Sequence, residues 1–318
     1  MSIKAKIVGT GMYVPETVLS NYDLEKIVDT NDEWITTRTG IKERRVVPKE
    51  DWGKVMASDL GVEACRQALQ NASMDVEDID LIICATFSQD KIIPSTACII
   101  QDKLGIRDCA AFDIQAACSG FLYGLNIAKN FIETGAYKNI LIVGPELLSR
   151  YMDWTDRTTC ILFGDGAGAV IVSACNDGSG VLASTLGADG SLGELLYTPL
   201  WGDKKLKMNG NETFKHAVKR MCKAAVKTLE IAGISPEDIS LLIPHQANIR
   251  IIEAIMNRLK LDKSKVMINI EKYGNTSSAT IPIALHEALQ QGRIKSGDIL
   301  LMVAFGSGFT WGACVIKW

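Results

Sequence analysis

Histidine is scarce in this chain, with three among 318 residues, none close to a pair of cysteines. A zinc site built from the usual Cys and His spacings is therefore not expected. The nine cysteines, at 65, 84, 98, 109, 118, 160, 175, 222 and 314, are odd in number and include no Cys-x-x-Cys, and most sit in apolar stretches. That excludes a disulfide framework and fits free thiols in a reducing cytoplasm. Neither sign of charge dominates: 34 Lys and Arg face 37 Asp and Glu, a net −3. Nucleic acid is not expected as a partner, and any basic docking site must be local. No apolar run approaches the ~18 residues of a membrane helix. The opening MSIKAKIVGTG carries no signal-peptide cleavage pattern and reads as a first β-strand turning at Gly9 and Gly11. No Pro/Gly/Ser-rich linker divides the chain.

What is present suits a globular enzyme, with 47% hydrophobic and 22% charged residues. The chain also repeats itself. CRQALQNASMDVEDIDLIICATFS (65–88) and AVKTLEIAGISPEDISLLIPHQAN (225–248) align at an offset of 160, each as an amphipathic helix, a Glu-Asp turn and an apolar strand. NILIVG (139–144) recurs as DILLMV (298–303), and FGDGAGAVIV (163–172) as FGSGFTWGACVI (305–316). Three similarities in one order indicate a duplication with halves at 1–175 and 176–318. Strands such as DLIICAT and SLLIPH are apolar on both faces, so helices should cover both sides of each sheet. The expected class is α/β, two stacked βαβ-rich halves sharing one core.

Three places can carry chemistry. In AACSGF (116–121), Cys118 follows a strand and a small-residue turn and opens a buried helix, GFLYGLNIAKNFIETG, that ends at Gly135. A helix start favours thiolate, and small neighbours leave room for an acyl group; a small buried filler thiol is the competing reading. His245 in PHQAN ends a repeated strand where the first copy has Ala85, which reads as a functional addition or as a hydrogen-bonded structural histidine. Asn275 in YGNTSSAT follows the strand-like VMINI and precedes a helix capped by Thr276 or Ser277, so it is either an amide donor or a turn residue. His216 and His286 sit in helical patterns and read as surface or packing residues. A Cys, a His and an Asn at loop ends of duplicated strands are parts for thioester chemistry, a nucleophile with two neutral donors. The glycine runs GTGMYV and GDGAG lack the strand-to-helix context of a nucleotide loop. FGSGFTWG can aim a backbone N–H at the thiol.

AACSGF, DRTTCILFGDGAGA, PHQAN, YGNTSSATIP and the closing FGSGFTWG, in that order over essentially the whole chain, resemble β-ketoacyl-acyl-carrier-protein synthase III. That family of thiolase-fold condensing enzymes begins bacterial type II fatty acid synthesis. The resemblance implies a thiolase-like duplicated five-layer αβαβα fold and a homodimer. It also implies decarboxylative Claisen condensation of a short acyl-CoA, acetyl-CoA first, with malonyl-acyl carrier protein. No cofactor is implied, coenzyme A thioester being a substrate, and no metal.

Position by position, Cys118 matches the acylated nucleophile, His245 and Asn275 the pair that stabilises the malonyl enolate, and the backbone N–H groups of Cys118 and Ser307 the oxyanion hole. Ser307 stands where glycine or alanine is common. Thr30, Trp34, Arg38, Arg157, Asn211, Phe214, Ala247 and Asn248 match the coenzyme A route, with Trp34 and Arg157 sandwiching the adenine. Ile93, reaching in from a partner subunit, and Phe305 match the acyl pocket. Lys215, Gln246, Arg250 and Arg258 match a carrier-protein docking surface, and Lys215, Lys219, Lys223 and Lys227 form a row that reads otherwise as a solvated helix face. Rival readings are a condensing enzyme of secondary metabolism, a Cys-His-Asn thioester hydrolase without the papain-type context, and a carrier-binding scaffold.

Overall fold

The computed structural model describes residues 3–318. Two mixed sheets dominate it. The first contains β1 (Lys4–Tyr13), β2 (Leu81–Ala85), β3 (Ala110–Ile114), β4 (Asn139–Glu146) and β5 (Gly166–Cys175), in the order β1-β5-β4-β2-β3. The second contains β6 (Gly180–Ala188), β7 (Leu241–Pro244), β8 (Ile299–Gly306) and β9 (Thr310–Lys317), in the order β7-β8-β9-β6. Read from the first strand of each, the orders match: in both sheets the first strand pairs antiparallel with the last, and the last with the penultimate. In both, the penultimate strand then pairs parallel with the strand from the aligned repeat. The first sheet adds β3 at its edge.

The second sheet has only a bridge there, Leu242 to Val266. The strand expected over VMINI is thus cut short. Asn269 donates its backbone N–H to Gln246 Oε1 at 3.1 Å, and Ile270–Tyr273 turns into a short helix.

Helices cover both faces of each sheet, as the doubly apolar strands require. α1 (Asp32–Thr39) lies beside the site, α2 (Ala57–Ala72) and α3 (Thr96–Leu104) pack outside the first sheet, and α4 (Gly120–Glu133) lies between the sheets. α5 (Gly210–Ala232) and α6 (Ile249–Leu259) pack outside the second sheet, and α7 (Thr280–Gln290) joins α4 in the middle layer. The result is five layers, αβαβα. Alternation along the strands sorts the core: Ile83 and Ile243 face Phe121, Leu125, Ile281 and Leu285 of the middle helices. Ile82 and Cys84 face α2 and α3, and Leu242 faces α5 and α6.

Gly9 and Gly11 are not turn residues. They lie within β1, and α2 presses onto the strand so closely that a Cβ on Gly11 would fall 2.1 Å from the Ala64 carbonyl oxygen. Only glycine permits that approach.

Candidate active site

The site forms at the seam between the two sheets, where both middle helices begin. α4 is preceded by a single turn, Ala117–Ser119, and α7 by its counterpart, Ser277–Ala279. Cys118 is the middle residue of the first turn, 8% exposed. The helix start is expected to favour thiolate, but enclosure outweighs it and pushes the thiol up to about 12.

His245 follows the last residue of β7 and extends the ladder, its N–H donating to the Val303 carbonyl at 2.8 Å. Burial drives its pKa down to about 3, so the imidazole is neutral. Nδ1 lies 2.6 Å from Thr280 Oγ1 on α7, and that hydroxyl also lies 3.0 Å from the Ser277 carbonyl. Asn275 is held by its backbone, which donates to the Leu162 carbonyl at 2.8 Å. Its Oδ1 accepts the Ser277 N–H at 2.8 Å, which turns the amide N–H groups toward the cavity.

Cys118, His245, Asn275 and Phe305 line the inner part of one cavity of about 370 Å³. The same cavity continues past Ala247, Asn248 and Arg250 to Trp34, Arg38, Asn211 and Phe214 at the surface. A second cavity of about 300 Å³ meets the first at Cys118, between Phe87, Phe163, Leu196, Leu206 and Ser307. Gly306 makes that junction possible, because a Cβ there would come within 2.7 Å of the Cys118 nitrogen. The site is therefore a long passage with a thiol at a fork.

Most of the expected residues converge here, and several do not. Trp34 is already stacked: the Arg38 guanidinium lies 4.6 Å and that of Arg157 5.2 Å from its ring centroid. Arg157 also donates to the Asp29 carbonyl at 2.9 Å, so a base sandwiched between Trp34 and Arg157 requires the arginine to withdraw. Thr30 stands outside the passage lining, its hydroxyl enclosed without a partner. Asn248 caps α6 through the Arg250 N–H and donates to the Arg38 carbonyl at 3.0 Å, bracing the mouth. Phe305 lines the passage with His245 and Asn275 and not the second cavity. Ile93 lies outside both cavities, 82% exposed.

Gln246 is a correction. It is buried, its amide donating to the Pro244 and Met267 carbonyls and its oxygen accepting from the Asn269 N–H, so it offers nothing to a docking partner. The other docking residues are dispersed: Lys215 pairs with Glu212, Arg250 lines the passage, and Arg258 shares a surface groove with Lys219, Lys223 and Lys227. His216 packs against Phe309, and His286 is buried with Nδ1 2.9 Å from Thr10 Oγ1, both as packing residues.

Sequence reasoning missed Thr280, Ser277 and the walls Phe87, Leu196 and Leu206. The 160-residue repeat pairs Ser277 with Ala117 and Thr280 with Gly120, so new polar residues at repeated positions were a usable signal. Leu196 and Leu206 lie in a segment outside the repeat and carried none.

One thioester can be held on the sulfur at the fork while two neutral donors face whatever follows it down the passage. That suits carbon–carbon bond formation between two thioesters, in which the second becomes an enolate. On a duplicated five-layer scaffold, this is the chemistry of the thiolase-fold condensing enzymes.

The comparisons narrow the class. The chain matches the family described as 3-oxoacyl-[acyl-carrier-protein] synthase III over residues 112–190 and that family's C-terminal part over residues 229–318. It is 54% identical to the beta-ketoacyl-[acyl-carrier-protein] synthase III of Caldanaerobacter subterraneus, covering 99% of this chain and 98% of that protein. The crystal structure of 3-oxoacyl-[acyl-carrier-protein] synthase III from Aquifex aeolicus superposes with a TM-score of 0.95 at 52% identity, over 99% of this chain and 100% of that one. The Thermus thermophilus enzyme gives 0.94 at 43% identity, over 98% and 99%. The chain belongs to the β-ketoacyl-acyl-carrier-protein synthase III family, and its fold is thiolase-like.

Proposed function

We propose that Cys118, His245 and Asn275 carry out the family's reaction, the decarboxylative condensation that initiates fatty acid synthesis. The observation that carries this assignment is their convergence on one passage whose outer end is lined by Trp34 and Arg38. Coenzyme A enters past Trp34, and its acyl thioester reaches the fork. Cys118 sulfur attacks the carbonyl, the new carbon–sulfur bond forms, and coenzyme A leaves with a proton. The acyl chain lies in the second cavity, between Phe87 and Leu206, with short chains such as acetyl the first candidates.

Malonyl carrier protein then places its thioester carbonyl between His245 and Asn275. The carboxylate departs as carbon dioxide and its electron pair forms an enolate, whose oxygen accepts hydrogen bonds from the Asn275 amide and from His245 Nε2–H. Nε2 carries the ring proton when the Thr280 hydroxyl turns from the Ser277 carbonyl, its acceptor at 3.0 Å, to donate to Nδ1 at 2.6 Å, and burial keeps the imidazole a neutral donor. The carbanion attacks the acyl-Cys118 carbonyl, and the backbone N–H groups of Cys118 and Ser307 receive the developing oxyanion. Collapse expels Cys118 as the thiolate, which takes up a proton to restore the thiol, and yields 3-oxoacyl carrier protein.

Several further readings accompany this one. The halves 1–175 and 176–318 divide the labour, nucleophile from donors. Two exposed isoleucines, Ile92 and Ile93, support a homodimer in which Ile93 reaches the partner's acyl pocket. The groove of Lys219, Lys223, Lys227 and Arg258 suits an acidic carrier protein. Nine free cysteines fit a reducing cytoplasm, and among the described residues no helix is long and apolar enough to cross a membrane. A panel of straight and branched acyl-CoAs offered with malonyl carrier protein, with products identified by mass, tests the reaction and ranks the primers. Free fatty acid without 3-oxoacyl product would instead support a hydrolase.

A further inference from the structure

Glu146 ends β4 as a completely buried carboxyl that the steps above do not use. Its bonded neighbours are hydroxyls. Ser88 Oγ donates to Oε2 at 2.6 Å, Thr86 Oγ1 stands 3.2 Å from the same oxygen, and Ser278 Oγ stands 3.2 Å from Oε1. Ser278 has one hydroxyl proton, and the Ala85 carbonyl at 2.7 Å takes it. Oε1 is left short of a donor.

The Ser277 hydroxyl is the complementary orphan. It is fully buried, makes no hydrogen bond of regular geometry, and faces both the Cys118 thiol and the Glu146 carboxyl. A buried hydroxyl without a partner is costly, and such groups in native proteins mark catalytic roles or stored strain. Its backbone is left-handed, φ 51°, as at the repeat-related Ala117, where the side chain carries no hydroxyl. At this position of the turn the hydroxyl is present only in the second half, where the first has Ala117.

Resting on the assignment of Cys118 as nucleophile, we infer that Ser277 relays the thiol proton to Glu146 when Cys118 attacks the acyl thioester. The sulfur–hydrogen bond breaks toward Ser277 Oγ as the sulfur–acyl bond forms, and Ser277 passes its own proton to Glu146 Oε1. As the carbon–sulfur bond to coenzyme A breaks, the same path in reverse protonates the departing thiolate, so the step consumes no outside acid or base. In this relay Ser277 takes the proton from the reacting sulfur, and Glu146 acts through Ser277.

The electrostatics agree with this geometry. Burial holds the Cys118 thiol near about 12, so it needs an acceptor at neutral pH, and His245 near about 3 is too weak a base. Burial raises Glu146 to about 7 although its hydroxyl donors oppose the shift. The titratable groups facing it are the Cys118 and Cys84 thiols and the Tyr151 phenol, all pushed upward by burial and neutral near pH 7.

The test is single-turnover acylation by labelled acyl-CoA, quantified on the Cys118 peptide across about pH 5.5–9, for the native chain, Glu146→Gln and Ser277→Ala. Glutamine preserves the enclosure, because its oxygen accepts from Ser88 and Thr86 while its NH2 donates to Ser277 and Ser278. Native acylation should rise through neutral pH to a plateau. Both variants should fall by about 10²-fold at neutral pH and lose that limb, rising only as the thiol itself ionises. Carbon dioxide release from malonyl carrier protein should stay near the native rate. A native rate and profile in either variant, or a slower rate that keeps the native limb, overturns the relay and leaves Cys118 as nucleophile. Absence of label on Cys118 in the native chain overturns both.

Discussion

Ala117 and Ser277 adopt the same backbone conformation, φ 45° and 51°, each opening the single turn that launches a middle-layer helix. Left-handed backbone in a residue with a Cβ costs about 1–2 kcal/mol. It persists where surrounding structure over-determines it and where it serves a site. In both turns it presents the next residue, Cys118 or Ser278, at the seam between the sheets. The twins have diverged: one is a thiol open to a cavity, the other a hydroxyl bonded to the Ala85 carbonyl. His245 and Asn275 stand likewise at the repeat positions of Ala85 and Gln115. On the proposed assignment one half supplies the nucleophile and the other the donors, at positions where the copies differ.

Stability should depend on pH through Glu146. The folded carboxyl keeps its proton up to about pH 7, whereas an unfolded one loses it near 4.5, so between those values the folded state binds more protons. Stability from this group therefore falls as pH rises through that window. Glu146→Gln removes the titration, so its stability relative to the native chain should climb from pH 4.5 to 7 by on the order of 2–3 kcal/mol, seen as a rising relative melting temperature. Thermal melts across the window measure it. A constant offset between the two proteins would show that Glu146 does not titrate there.

Chain-length preference should be set by the second cavity. Phe87→Ala opens the wall beside Cys118, and each methylene accommodated there gains roughly 0.8 kcal/mol. The ratio of kcat/KM for hexanoyl-CoA over acetyl-CoA should rise at least about tenfold. Competition between the two primers, with products counted by mass, measures it. An unchanged ratio would place the acyl chain elsewhere.

Docking of the carrier protein should be separable from coenzyme A entry. Lys223→Glu and Arg258→Glu alter a groove away from the passage and should raise KM for malonyl carrier protein by about three- to tenfold at low salt. The defect should shrink as salt screens the field, and acylation by acyl-CoA should not change. Arg250→Glu should impair both substrates, because Arg250 lines the passage itself. An unchanged KM for malonyl carrier protein in the groove variants would mark that row as a solvated helix face.

Much of this was legible because duplication and periodicity are written in apolar residues. Strands apolar on both faces required two helical coverings, and the repeat aligned β2 with β7 and β4 with β8. Cys118, His245 and Asn275 stood out in the sequence just after strand-like apolar runs, and the structure brings all three to one cavity. Properties set by neighbours distant in sequence were not legible. The thiol's raised pKa comes from enclosure by both halves, which a helix start does not foretell. Gln246 looked like a surface amide beside His245 until Met267 and Asn269 were found bonded to it. VMINI carried strand residues, yet its backbone bonds go partly to the Gln246 side chain, and the strand ends as a bridge.

The division of roles between Cys118 and its two donors is tested most directly by separating the half-reactions in Cys118→Ser, His245→Ala and Asn275→Ala. Labelled acyl-CoA, mapped by peptide mass, reads acylation, and carbon dioxide release from malonyl carrier protein reads decarboxylation. The expected result is label on Cys118 alone, retained in His245→Ala and Asn275→Ala, with decarboxylation reduced about 10²–10³-fold in each of those variants. Label on another cysteine in Cys118→Ser, or normal decarboxylation by histidine and asparagine variants that cannot be acylated, would contradict it.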